Sequence, residues 1–247
     1  MGRWGLHRAN PGATYSGIGG LQEFMQHVWE ALSGFAGFAH DRWSVLSFLS
    51  YQHFSLVVQT LLLATVVALG VGILCYRSPW GTTVANVFTS VGLTIPSYAF
   101  LGLLVGIVSL GVFPSVVTLA FFGTLPILRN VIVGLNGVDA TLVESARAMG
   151  MSQTSTLLRL ELPLAWPVIM TGVRVSGQML MGIGAIAAYA LGPGLGGYIF
   201  SGISRYGGAN ATNSIVVGTV AILILAVILD VALNIFTRLT TSRGIRV

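Results

Sequence analysis

Lysine is missing altogether: all twelve basic side chains among the 247 residues are arginines, set against seven acidic ones. A phosphate-cradling Walker loop needs Lys before Ser or Thr, so this chain cannot supply that loop and any ATP chemistry must belong to a partner. Charge of either sign is scarce too. Charged residues make up 8% of the chain, against roughly 25% in soluble domains, while 54% are hydrophobic and mean hydropathy is +0.85. That composition excludes an ordinary soluble domain and reads as an all-α integral membrane protein. The net charge of +5 would hint at nucleic acid in a soluble protein. With charges this sparse and set beside apolar runs, it is a topological signal, and no nucleic-acid partner is expected. Cysteine is nearly absent: Cys75 stands alone in an apolar run, and His7, His27, His40 and His53 have no metal-ligand spacing, so neither a disulfide nor a metal site is expected. The first residues carry Arg3 and Arg8 but break at Pro11 and Gly12 with no apolar core after them, which does not read as a signal peptide.

What is abundant is apolar length. A helical crossing needs about 20 mostly apolar residues, and five stretches qualify. They are Phe54 to Tyr76, about Val84 to Val108, about Val112 to Leu135, the run after Pro163 to Leu191, and about Ser214 to Thr237. Thr94-Ile95-Pro96 falls inside the second and predicts a kink or break, because proline removes a donor and crowds the preceding turn. Between Leu21 and His53, Glu23, Glu30, Asp41 and Arg42 interrupt apolar residues that recur near helical spacing at Phe24, Val28, Ala31, Leu32 and Phe35. An interfacial amphipathic helix is the preferred reading there, with a sixth crossing as the alternative.

Arginines sort by side. If the polar loop described next is cytoplasmic, Arg77, Arg147, Arg159, Arg238, Arg243 and Arg246 fall inside with Arg129 near the same boundary, and only Arg205 falls in an outer loop. The positive-inside rule asks for that asymmetry. Five spans then put the N-terminus outside and the C-terminus in the cytoplasm.

The loop Val138–Pro167 holds a disproportionate share of the charges. Asp139 or Thr141 can cap a short helix starting near Ala140, and Thr141-Leu142-Val143-Glu144 also fits a capping box. Gly150 suits a left-handed stop, and Ser152 can start a second helix lasting to Leu162-Pro163. Two helical arms joined by a tight bend are expected, with Leu142, Ala146 and Met149 on one face of the first.

Glu144-Ser145-Ala146, three residues, Gly150, nine residues, then Leu160, Leu162 and Pro163 resemble the EAA loop of the membrane subunits of ATP-binding-cassette importers. Ser145 stands where Ala is usual and Leu160 where Ile is usual. The resemblance implies the transmembrane domain of a type I importer over 54–239 with the loop at 138–163, an N-terminal extracytoplasmic or interfacial segment over 1–53, and a cytoplasmic tail over 240–247. It also implies a cytoplasmic coupling helix that docks in a groove of a partner ATPase through Asp139, Leu142, Glu144, Ala146, Met149, Gly150 and Pro163. An ATPase dimer that binds ATP and Mg, a second permease copy or paralogue, and an extracytoplasmic binding protein are the implied partners, all at a cell-membrane multi-pass subunit with no cofactor or catalytic residue of its own.

The likeness extends over most of Ser55 to Leu239. The segments starting at Thr94 (TIPSYAFLGLL), Leu125 (LPILRNVIVGLNGVD) and Leu191 (LGPGLGGYIFSGI) are similar to permeases for glycine betaine, carnitine, choline and related osmoprotectants, with Pro193 a departure in the Gly-rich turn. Methionine or another small polar solute is the alternative cargo. A quaternary ammonium solute is attracted to aromatic faces, so Tyr98, Tyr189 and Tyr198, with Phe100 and Phe200, are candidate pathway residues, against their ordinary use as interfacial anchors.

An intramembrane enzyme finds no support in any Ser-His or paired-Asp arrangement in the spans, and a passive channel leaves the loop unexplained. Two charges within spans remain. Arg174 lies near the start of a long apolar run, and Asp230 lies eight residues before Arg238. Both belong to the inner half, where pairing avoids the cost of a lone charge, so they form a candidate intramembrane ion pair.

Overall fold

The computed structural model describes residues 18–241, so Arg3, Arg8, His7 and the tail residues Arg243 and Arg246 lie outside the described residues. The chain divides at Arg42 into two units. The described part of the first is helix α1, Ile18–Asp41, on which Arg42 lays its guanidinium 4.6 Å from the centre of the Phe38 ring.

The second unit is a helical bundle. Helix α2, Trp43–Cys75, begins eleven residues before the expected first span because Gln52 and His53 continue the helix instead of ending it. His53 is fully buried, with Nε2 3.2 Å from the Met181 carbonyl oxygen. Ser78 accepts from Gly81 N–H and Pro79 supplies the preset φ of a first helical residue, so α3 (Pro79–Thr94) starts directly after α2. At the proline anticipated as a kink the chain breaks outright: Ile95 is extended at φ −71° and ψ 124°, as a residue before proline prefers, and α4 (Ser97–Val108) leaves α3 at 91°.

Helix α5 (Val112–Asn136) is the hub. Its buried face, Leu125, Ile127, Leu128, Val131 and Ile132, packs between Val57, Leu61, Ala64 and Ala68 of α2 and Ile169, Leu180 and Met181 of α8, Leu162–Ile186. Close approach of α5 and α8 needs glycine: a Cβ on Gly172 would sit 2.7 Å from Asn130 Cβ. The hydroxyl of Ser176 donates to the Gly123 carbonyl at 2.8 Å across the same seam. A 3₁₀ turn, Ala187–Ala190, ends at Leu191 in the left-handed region (φ 58°), and α9 (Gly196–Ser204) and α10 (Ala211–Thr240) complete the unit. Trp166 donates to Thr240 Oγ1 at 2.7 Å, tying α8 to the end of α10.

Among the described residues, four helical stretches are long and apolar enough to cross a membrane, namely α2, α5, Gln153–Ala190 and α10, and the bent α3–α4 pair makes five. The first helix, α1, is not one of them. Leu223, Ile224, Val227, Ile228 and Val231 stand exposed along α10, a surface that water would penalise and lipid accepts.

Candidate coupling elbow and intramembrane polar cluster

The polar loop folds as an elbow. Its first arm, α6 (Ala140–Ala148), is capped by Asp139, whose Oδ1 accepts from Thr141 N–H at 2.8 Å. The capping box read from Thr141 to Glu144 does not form: with Asp139 at the cap, Thr141 is already inside the first turn and Glu144 is two residues too far along to reach back. Glu144 is instead exposed on the arm's surface.

The arm ends in two nested hydrogen bonds, Met151 N–H to the Ala146 carbonyl at 3.1 Å and Gly150 N–H to the Arg147 carbonyl at 2.9 Å. This is the Schellman arrangement, and it requires the left-handed φ of +88° that Gly150 adopts. Side chains on α6 divide sharply. Leu142 is 47% and Met149 79% exposed, whereas Ala146 is 4% exposed. Since α6 packs chiefly on the second arm, Ala146 is spent inside the elbow and does not face outward with the other two.

Ser152 opens the second arm, its Oγ accepting from Ser155 N–H at 3.3 Å. That arm was expected to end at Leu162-Pro163. It runs on instead: α7 (Gln153–Thr156) widens into a π-helical turn, Leu157–Glu161, and passes straight into α8. The wide turn lets Leu162 N–H reach the Leu157 carbonyl, five residues back. Pro163 follows directly after that widened turn. The elbow's second arm and the span are therefore one continuous rod.

A side chain with no local mark of importance sits in that turn. Glu161 is 3% exposed, yet it is a carboxylate. Tyr76 donates its hydroxyl to Oε2 at 2.6 Å, and Arg77 donates from Nη2 to Oε1 at 3.0 Å and from Nη1 to Gln153 Oε1 at 3.2 Å. Burial, then the hydrogen bond to Glu161, pushes the Tyr76 phenol up to about 12. The sequence signal was only a charge between Leu160 and Leu162; its partners lie more than eighty positions away.

Within the spans, Arg174 of α8 donates from Nε to Asp230 Oδ1 at 3.1 Å, and from Nη2 to Oδ1 at 2.9 Å and Oδ2 at 3.0 Å. Gln178, one turn along α8, donates to the same Oδ1 at 2.9 Å. The two charged side chains are 36% and 27% exposed. Charge and amide left partly open at this depth belong to a water-filled or protein-covered face and not to lipid.

Of the aromatic candidates, Tyr98 and Tyr189 meet with ring centres 4.8 Å apart, and Phe200 lies 6.3 Å from Tyr189. Tyr198 joins no ring contact among the described residues; it lies on α9 beside Gly218 of α10. Phe100 stacks on Phe121 at 4.7 Å and belongs to the packing of α4 on α5.

The family model described as binding-protein-dependent transport system inner membrane component matches residues 61–242. The chain belongs to that family. It is a permease subunit of an ATP-binding-cassette importer, an integral inner-membrane component whose systems work with an ATPase and a substrate-binding protein. The choline transport system permease protein of Bacillus subtilis is 34% identical over 201 residues, 81% of this chain and 91% of the relative. The glycine betaine/carnitine/choline permease protein of the same organism is 34% identical over 195 residues, 79% and 88% of the two chains. The osmoprotectant import permease protein of Salmonella typhimurium is 34% identical over 211 residues, 83% and 96%. In fold, the permease is similar to an inward-facing methionine transporter, MetNI, with a TM-score of 0.68 at 23% identity, covering 80% of this chain and 96% of that one.

Proposed function

We propose that this permease imports a quaternary-ammonium osmoprotectant such as glycine betaine, carnitine, choline or proline betaine. In this reading a dimer of ATPase subunits binds ATP and Mg and grips α6, while an extracytoplasmic binding protein delivers the solute. A second permease copy or a paralogue completes the pore. The elbow and the C-terminus face the cytoplasm, the N-terminus faces outward, and the chain itself hydrolyses nothing.

The observation that carries the reading is the elbow. A nine-residue helix capped at both ends projects Leu142 and Met149 away from its own bundle, although exposed apolar side chains on a polar connector gain nothing unless something covers them. Its second arm continues unbroken into α8, so whatever holds α6 has a lever on the span that carries Arg174. The docking surface is accordingly Leu142, Glu144 and Met149, positioned by Asp139, Gly150 and Pro163, with Ala146 filling the inside of the bend. Tyr98 and Tyr189 form a paired aromatic face suited to a cation.

The test is uptake of labelled glycine betaine, choline and methionine at high osmolarity into cells carrying all subunits. Saturable uptake of the first or second, lost when the ATPase is inactivated, is expected. Uptake of methionine alone would replace the proposed cargo and leave the permease assignment intact.

A further inference from the structure

We propose that Glu161 is the strut through which motion of the elbow reaches the α2–α3 corner as well as α8, making it a positioning residue for coupled transport. The inference rests on the reading that an ATPase moves the elbow.

A buried carboxylate is costly unless its oxygens are satisfied. Here both are, and by groups from a different part of the fold. Tyr76 follows the last residue of α2 and Arg77 leads into α3. Glu161 closes the π-helical turn between the second arm and α8, and Gln153, at the arm's start, takes the other edge of Arg77. Two points on the rod, 153 and 161, are thus pinned to one corner of the bundle, so the rod cannot tilt about the start of α8 without carrying that corner along. Without Glu161, the side-chain hydrogen bond left between the elbow and the corner among the described residues is the exposed Arg77–Gln153 bond, and the arm could swing while α2 and α3 stayed behind.

The π-helical turn supplies the other half of the argument. Such single wide turns inside α-helices are frequently found at functional sites. The hydrogen bonds that Glu161 accepts on that turn from Tyr76 and Arg77 set whether displacement stops there or passes through. A role confined to filling a cavity would need neither the charge nor two donors reaching it from the α2–α3 corner.

The experiment uses the whole importer, with ATPase and binding protein, reconstituted in proteoliposomes, and reads solute uptake and ATP hydrolysis on the same preparation. Glu161→Gln keeps size and shape and removes the charge. Uptake per ATP hydrolysed is expected to fall about tenfold, the scale of losing a charge-assisted hydrogen bond, while hydrolysis continues. Tyr76→Phe, which leaves the Arg77–Glu161 pair in place, is expected to give a smaller fall in the same ratio, and it serves where Glu161→Gln fails to assemble. An unchanged ratio in both variants, or uptake and hydrolysis falling in step, would overturn the strut while leaving the permease reading standing. A wild-type preparation from which no ATPase copurifies would overturn both.

Discussion

Removing Asp230 should strand two donors at once. Arg174 places three hydrogen bonds on this carboxylate and Gln178 a fourth, so Asp230→Asn discards the charge while the guanidinium stays where it is. Breaking a fully buried pair costs about 3–5 kcal/mol, whereas hydrogen bonds between helices in membranes average about 0.6 kcal/mol and reach about 1.7. With the side chains 36% and 27% exposed, water recovers part of the loss. A coupling energy of about 1–2 kcal/mol is therefore expected for the pair, near the top of the membrane range because the contact is bidentate. The assay is a double-mutant cycle on the purified permease: Arg174→Gln, Asp230→Asn and the double variant, each unfolded by denaturant in the same detergent. Single losses that add to within about 0.5 kcal/mol would refute the reasoning. A functional arm runs beside it. The charge swap, Arg174→Asp with Asp230→Arg, should restore uptake lost in the single Ala variants, and a dead swap alongside two active single variants would show that the contact does not matter for transport.

Three further outcomes follow from the elbow. Gly150→Ala has room for its methyl group but must hold a φ of +88°, which costs an L-residue about 1–2 kcal/mol; copurification of the ATPase should weaken, and Gly150→Asp or Glu144→Arg should abolish it. Asp139→Ala should cost about 1 kcal/mol of helix α6 and speed hydrogen exchange at the amide of Thr141, while Thr141→Ala leaves it near the wild-type rate; equal effects would mean the cap is misassigned. Because Tyr76 has its pKa raised from 10.0 to about 12, the stability it contributes is complete below pH 10 and is lost as pH rises through about 12. Tyrosinate absorbance that differs between wild type and Tyr76→Phe already at pH 10 would contradict this.

Much of this architecture was readable from local chemistry. Pro96 keeps Ile95 out of the helix, Gly150 takes the left-handed cap without strain, Ser152 restarts the chain, and the apolar runs place the spans to within a few residues except at the front of α2. The misses share a cause in tertiary context. Helix α2 begins at Trp43 because the polar residue that reads as a boundary finds a partner: His53 meets a carbonyl from α8. Pro163 fails to stop a helix because the π-helical turn before it changes which carbonyl the next amide reaches. Asp139 outcompetes Thr141 as cap, a difference of two residues that propensity alone does not resolve. Glu161 was the deepest omission, since its meaning depends on Tyr76 and Arg77 from the far side of the sequence.

The scarcity of cysteine makes the decisive measurement simple. With Cys75, the chain's one thiol, replaced by Ser, Met149→Cys places a reactive group on the most exposed apolar side chain of the elbow. Membrane-impermeant thiol reagent should label it in inside-out vesicles but not in intact cells, and bound ATPase subunit should block the labelling. Labelling from outside intact cells would put the elbow on the wrong face and contradict the transfer of force on which the account depends.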